Sequence, residues 1–129
     1  MNYLGIDYGT KRIGLAISAG GTDRAIAKHT IANDDNALQK IIDVCDKKDI
    51  DHIVIGESKN FSGQDNEIME NIRPFQQALE ANGFSVTLVP EFLTTAQARR
   101  QPDSPRDVDG SAAALILQTF LDQKNNPPR

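Results

Sequence analysis

The sequence predicts an α/β domain built on a mixed five-stranded sheet of order 3-2-1-4-5, flanked by helices. Three observations predict it. The opening stretch MNYLGIDYGTKRIGLAIS alternates apolar and small residues around a glycine turn, the pattern of a β-hairpin. Short apolar runs then alternate with segments of helical period, which require crossover connections and so parallel strands. The length, 129 residues, suits a single core that buries roughly two thirds of the unfolded surface.

The elements follow in order. The first strand carries Asp7 at its end. The chain reverses through Gly9 to Arg12 and returns as a second strand, where Ile13, Leu15 and Ile17 alternate with Gly14, Ala16 and Ser18. Ala25 to Thr30 completes an antiparallel meander. A helix is expected from about Asn36 to Lys48, with Leu38, Ile41, Ile42 and Cys45 at helical spacing. Ile53, Val54 and Ile55, ending at Gly56, suit a strand covered on both faces. After a polar loop, Glu57 to Asp65, a second helix carries Ile68, Ile72, Phe75 and Leu79 on one stripe. Pro74 within it predicts a kink or a restart. Gly83 closes that helix, and Phe84 to Val89 forms the last strand. Thr94 and Gln97 have the spacing of a capping box, which starts a short helix at Thr95. Ser104, Pro105 and Asp107 start a final helix to Leu121, striped with Ala113, Ile116, Leu117, Phe120 and Leu121. The expected domain spans residues 1–122, with 123–129 a disordered tail.

Composition narrows the function classes. A formal charge of -4 argues against a protein that coats nucleic acid nonspecifically, since that affinity comes from Lys and Arg on phosphate. It leaves open an enzyme whose bound cations supply the positive charge. Cys45 is the only cysteine, so neither an intrachain disulfide nor a cysteine zinc cluster is available, and its helical position predicts a core residue. His29 and His52 fall at predicted strand edges and read as structural or surface residues rather than catalytic bases. With no long apolar run and no basic-then-apolar leader, the expectation is a cytoplasmic protein without membrane association.

The predicted sheet is of the RNase H-like kind, with Asp7 on its central strand. Three carboxylates fall at element ends that such a sheet brings to one edge. Asp7 ends the first strand, Glu91 ends the last, and Asp109 lies early in the final helix. The run Gly110, Ser111, Ala112, Ala113, Ala114 lets that helix approach closely. Phosphodiester hydrolysis by two divalent ions needs a bridging carboxylate and flanking ligands, which three acids provide. Singly, each acid also has an ordinary role, satisfying turn amides, ending a strand or facing a helix dipole. The Asp-Tyr-Gly-Thr turn is shared with the phosphate loop of actin-like ATPases, but those bind nucleotide between two such domains.

The segments GIDYGTKRIGLAIS, VIG with Asn60 and Gly63 downstream, Glu91-Phe92-Leu93-Thr94-Thr95 and VDGSAAALIL resemble the YqgF/RuvX family of RNase H-fold proteins across nearly the whole chain. The resemblance implies a Holliday junction resolvase or a nuclease maturing the 5′ end of pre-16S rRNA. It puts Asp7, Glu91 and Asp109 in the places of three metal-binding acids. The chain departs from the family pattern at Pro90-Glu91-Phe92, where an acid and an arginine are missing. It departs again at Gly56-Glu57-Ser58-Lys59-Asn60, which lacks a proline, and in a shortened segment before the last helix.

The expected function is therefore a Mg2+- or Mn2+-dependent endonuclease on structured RNA, with pre-16S rRNA leading and a junction resolvase on branched DNA as the alternative. A nonenzymatic nucleic-acid-binding or assembly module is the third reading. Lys11, Arg12, Asn60, Arg99 and Arg100 are candidates for contacting the nucleic-acid backbone. Glu57 is a candidate auxiliary ligand, because Asp7 and Glu91 stand two strands apart, about 10 Å at the backbone. A monomer or weak homodimer is expected, and a dimer would suit symmetric cutting of a junction.

Overall fold

The opening hairpin forms as its alternation requires. In a computed structural model, which describes residues 1–20, 24–57, 69–90 and 108–125, β1 (Tyr3–Tyr8) pairs antiparallel with β2 (Arg12–Ser18). β2 pairs antiparallel with β3 (Ile26–Ala32), completing the meander. Helix α1 (Ala37–Lys47) crosses over to β4 (His52–Glu57), and α2 (Met69–Ala81) precedes β5 (Ser85–Pro90). Both later strands are parallel to their neighbours, giving the order β3-β2-β1-β4-β5. The last described element is α3 (Val108–Asn125).

The period-two alternation of each strand divides the core into two layers. Leu4 and Ile6 of β1, Ile13, Leu15 and Ile17 of β2, and Ile53 and Ile55 of β4 meet α1 through Ile41 and Cys45, and α2 through Ile72 and Leu79. On the other face Tyr3, Ala16, Val54 and Val89 meet Ala113, Ile116, Leu117 and Leu121 of α3. Burial on both faces explains why β4 reads as a continuous apolar run. It also explains the position of Cys45, where burial, with Asp46 adding to it, pushes the thiol pKa up to about 12 and leaves it unreactive.

Several boundaries differ from the sequence-based expectation. β3 begins one residue later and runs two further, because Ala32 still pairs with Arg12. α2 runs from Met69 to Ala81 without a restart at Pro74. The proline removes only the N–H that would reach the carbonyl of Glu70, and both residues are exposed, so water can take that bond. Gly83, at φ 93°, ends the helix as its position predicts, with Phe84 N–H donating to Leu79 C=O at 3.2 Å. α3 does not stop at Leu121. It continues to Asn125, so Gln123 and Lys124, expected in a tail, belong to the helix. Lys124 accounts for the extension: its ammonium donates to the Tyr3 hydroxyl and sits 4.9 Å from the centre of that ring. The loop at residues 58–65, the short helix at Thr95, the helix start at residues 104–107 and residues 126–129 lie outside the described residues. Among those described, no helix is long and apolar enough to cross a membrane.

His52 is structural, as expected. Its Nε2 is 2.7 Å from the Thr87 hydroxyl, and its ring stacks on Phe120 at 5.5 Å and meets Tyr3 edge-on at 6.1 Å. Burial, and then the positive charge of Lys124, hold its pKa below the ordinary histidine value. A depressed pKa means that the unfolded chain takes the proton first. The stability tied to neutral His52 is full above the unfolded value near 6.5 and is lost as pH falls toward the folded one. Thermal melts from pH 7.5 to 5.5 should therefore lose more stability in the parent than in His52→Gln. Parallel pH curves would contradict the assignment.

Candidate metal and nucleic-acid site

Asp7 belongs to the α3 face of the sheet. On β1 it alternates in step with Tyr3 and Gly5, while Leu4 and Ile6 face the other layer. The neighbouring positions on this face carry almost no side chain. Asp7 pairs with Gly14 on β2, and the next step of the β1–β4 register sets Gly56 beside it. Gly5 lies two residues earlier on the same strand. The carboxylate, half buried, thus stands above a floor of glycines at the carboxyl end of the central parallel strand.

The same glycines admit α3. A Cβ on Gly5 would lie 2.7 Å from Leu117 Cβ and 2.9 Å from the carbonyl oxygen of Ala113, and one on Gly56 would lie 2.5 Å from Ile116 Cδ1. Helix and sheet are therefore in backbone-level contact here. The small residues of the helix supply one half of this close approach. The sheet contributes equally, through glycines at alternating positions in predicted strands, a pattern that marks close approach of another backbone. Asp109 lies on α3 one turn before Ala113.

The turn after β1 is rigidly built. Gly9 N–H donates to Arg12 C=O at 2.9 Å, and a Cβ on Gly9 would lie only 2.6 Å from that oxygen. Lys11 and Arg12, both exposed, leave this turn immediately after Asp7. Asn33, not among the residues expected at the site, braces it from the end of β3: its side-chain amide donates to Gly9 C=O at 2.7 Å. An asparagine directly after a strand was the available signal.

Of the other candidate residues, Glu91, Asn60, Arg99 and Arg100 lie outside the described residues. Glu91 follows directly on Pro90, the last residue of β5. Glu57 closes β4 opposite Pro90, one step past the position beside Asp7, which is glycine. Among the described residues no group of three or more His, Cys, Asp or Glu gathers to hold a metal. What the described part offers is a hard oxygen donor, Asp7, between glycine positions of the sheet, and a carboxylate of that kind fits Mg2+ or Mn2+.

A mixed sheet of this order with helices on both faces defines an RNase H-like domain. Solved structures share it: Thermus thermophilus RuvC in complex with Holliday junction substrate superposes with a TM-score of 0.73 at 15% identity, covering 98% of this chain and 96% of that one. The Fowlpox virus resolvase bound to Holliday junction DNA gives 0.58 at 10% identity, covering 96% and 99%. The family model described as "RuvX: Holliday junction resolvase" matches residues 1–123, and the chain belongs to that family. Curated relatives carry the name "Putative pre-16S rRNA nuclease". One from Endomicrobium trichonymphae is 37% identical, over 92% of this chain and 94% of its own length. Another from Desulfitobacterium hafniense is 34% identical, over 97% and 96%.

Proposed function

We propose that this chain is a divalent-metal-dependent endonuclease of structured nucleic acid, with 5′-end processing of pre-16S rRNA as its reaction. The observation that carries the reading is Asp7 on the central strand of an RNase H-like sheet, flanked by glycine on both sides and facing the last helix, in a chain of the RuvX family. The RNA assignment draws on what the relatives are named for.

Asp7, Glu91 and Asp109 are the residues that would hold Mg2+ or Mn2+. Register supports the grouping. From Gly5 to Asp7 the strand advances about 6.8 Å. From Ala113 back to Asp109 the helix advances about 6 Å. Because Gly5 meets Ala113, the two acids advance together. On β5, Val89 belongs to the layer facing α3, and Glu91 continues that alternation in the sequence. When bound, the metal supplies neutralisation of the phosphodiester charge and an activated nucleophile. The chain supplies the rest: Asp7 fixes the reacting point, α3 closes one side, and the turn presents Lys11 and Arg12 to the nucleic-acid backbone. We place the protein in the cytoplasm as a monomer or weak homodimer, folded as one domain over residues 1–125.

Lys11→Ala with Arg12→Ala should flatten the slope of log affinity against log salt by up to about two units if each contacts one phosphate. A noncleavable structured RNA in Ca2+ is the probe, and an unchanged slope would put the substrate elsewhere. The reading itself is tested by incubating the chain with a 5′-extended pre-16S rRNA fragment and with a four-way DNA junction, in Mg2+, Mn2+ and EDTA. Metal-dependent cleavage of the RNA near the mature 5′ end is expected. Preferential symmetric cutting of the junction would move the assignment to DNA, as the family description favours. Binding without cleavage in any metal would make the chain a nonenzymatic module.

A further inference from the structure

Asn33 takes no part in the chemistry above, yet it grips the β1–β2 turn at two points. Its side-chain amide donates to the carbonyl of Gly9 at 2.7 Å, and its backbone N–H donates to the carbonyl of Lys11 at 2.9 Å. With the Gly9-to-Arg12 bond at 2.9 Å, three hydrogen bonds fix the peptide groups on either side of Thr10 and Lys11. Thr10, Lys11 and Arg12 are exposed, whereas Asn33 is half buried. The brace therefore reaches out from the body of the sheet to an otherwise solvent-facing turn.

Peptide geometry gives the brace a direction. In a planar trans peptide the C=O and the following N–H point opposite ways. A Gly9 carbonyl turned to Asn33 sends the Thr10 N–H away from it, and the Lys11 carbonyl does the same for the Arg12 N–H. Those two amides and the stems of both cations thus leave the turn in set directions, next to Asp7. The side chain must be a donor. A carboxylate of the same shape would put oxygen against the Gly9 carbonyl and break the bond.

We propose that Asn33 is a positioning residue for nucleic-acid binding: by holding the carbonyls of Gly9 and Lys11 it sets the turn that presents Lys11 and Arg12 to phosphate, without touching the substrate. The inference rests on the endonuclease reading and adds to it the part that organises the turn beforehand. Ordering an exposed turn only when substrate arrives would cost affinity, and an anchored turn has already met that cost.

The test compares the parent with Asn33→Ala, Asn33→Asp, the Lys11→Ala/Arg12→Ala double variant and the triple combination. Three readouts are needed: cleavage kinetics, affinity for noncleavable RNA in Ca2+, and hydrogen exchange of the Thr10, Lys11 and Arg12 amides. Asn33→Ala and Asn33→Asp should each raise KM by roughly three- to tenfold, the net worth of one hydrogen bond, with kcat within twofold. Exchange in the turn should quicken while the core amides of β1 hold. In the background lacking both cations most of the Asn33 effect on affinity should vanish, since it acts through them. A merely structural role would add equally in both backgrounds and would overturn the proposal, as would parental KM in both single variants. Unchanged exchange in Asn33→Ala overturns the positioning alone and leaves the nuclease reading standing. A parent that binds no nucleic acid overturns the nuclease reading and this one with it, even where exchange shows that Asn33 orders the turn.

Discussion

Asp7→Asn is expected to fold like the parent and to lose metal-supported cleavage by a factor on the order of 10³ or more. The substitution keeps the size and shape of a half-buried side chain, so melting should shift by only a few degrees. What disappears is one full negative charge at the point where a divalent ion would be held. Metal-ion catalysis supplies several kcal/mol of barrier reduction, and each 1.36 kcal/mol is about tenfold in rate. Single-turnover cleavage in Mg2+ and in Mn2+, with circular dichroism melts on the same samples, makes the comparison. A folded Asp7→Asn that cleaves at the parental rate would remove Asp7 from the chemistry.

Gly5→Ala should be the more damaging of two matched changes on the floor of the site. Its new methyl would stand 2.7 Å from Leu117 Cβ and 2.9 Å from the Ala113 carbonyl oxygen, atoms fixed to the helix backbone. α3 must then move as a body. Overpacking of this kind costs about 1–3 kcal/mol, partly offset by roughly 0.4–1 kcal/mol from the stiffer unfolded chain. In a chain of this size the net cost is a fall in Tm of up to roughly 10 °C. Gly56→Ala meets only Ile116 Cδ1, the far end of a side chain that can rotate away, and should cost less. Because α3 carries Asp109, Gly5→Ala should also depress cleavage beyond what its stability loss explains. If Gly56→Ala proved the more harmful, the account of helix–sheet contact would be wrong.

Why the sheet could be read in advance, and the floor of the site could not, comes down to which signals are local. Alternation in residues 1–18 and the apolar run Ile53, Val54, Ile55 determine strand type and direction, and the crossovers then fix the order, so strand topology followed from pattern alone. The helix on one face was legible from Ala113, Ile116 and Leu117, all of which are buried. Its end was not, because the contact of Lys124 with Tyr3 joins residues 121 positions apart. Pro74 predicted a kink or a restart, and the restart is absent because Glu70 and Pro74 lie on the exposed side of a continuous α2. Asp7 stood out because an acid ends an apolar strand at a glycine turn. Its surroundings did not, since Gly14 and Gly56 become its neighbours only once register is known. Asn33 was invisible for the same reason: its partner Gly9 lies 24 residues earlier.

The central claim, that Asp7 stands at a divalent-metal site on the α3 side of the sheet, is tested most directly by paramagnetic broadening with Mn2+. The chain also carries six acids on and around α1, Asp34, Asp35, Asp43, Asp46, Asp49 and Asp51, all exposed, which compete as a diffuse binding surface. At substoichiometric Mn2+ the account predicts loss of the amide signals of Asp7, Gly14 and Gly56 and of the first turn of α3, with excess Mg2+ restoring them and Asp7→Asn abolishing the effect. Broadening centred on Asp43, Asp46 and Asp49 instead, and unaltered by Asp7→Asn, would contradict it.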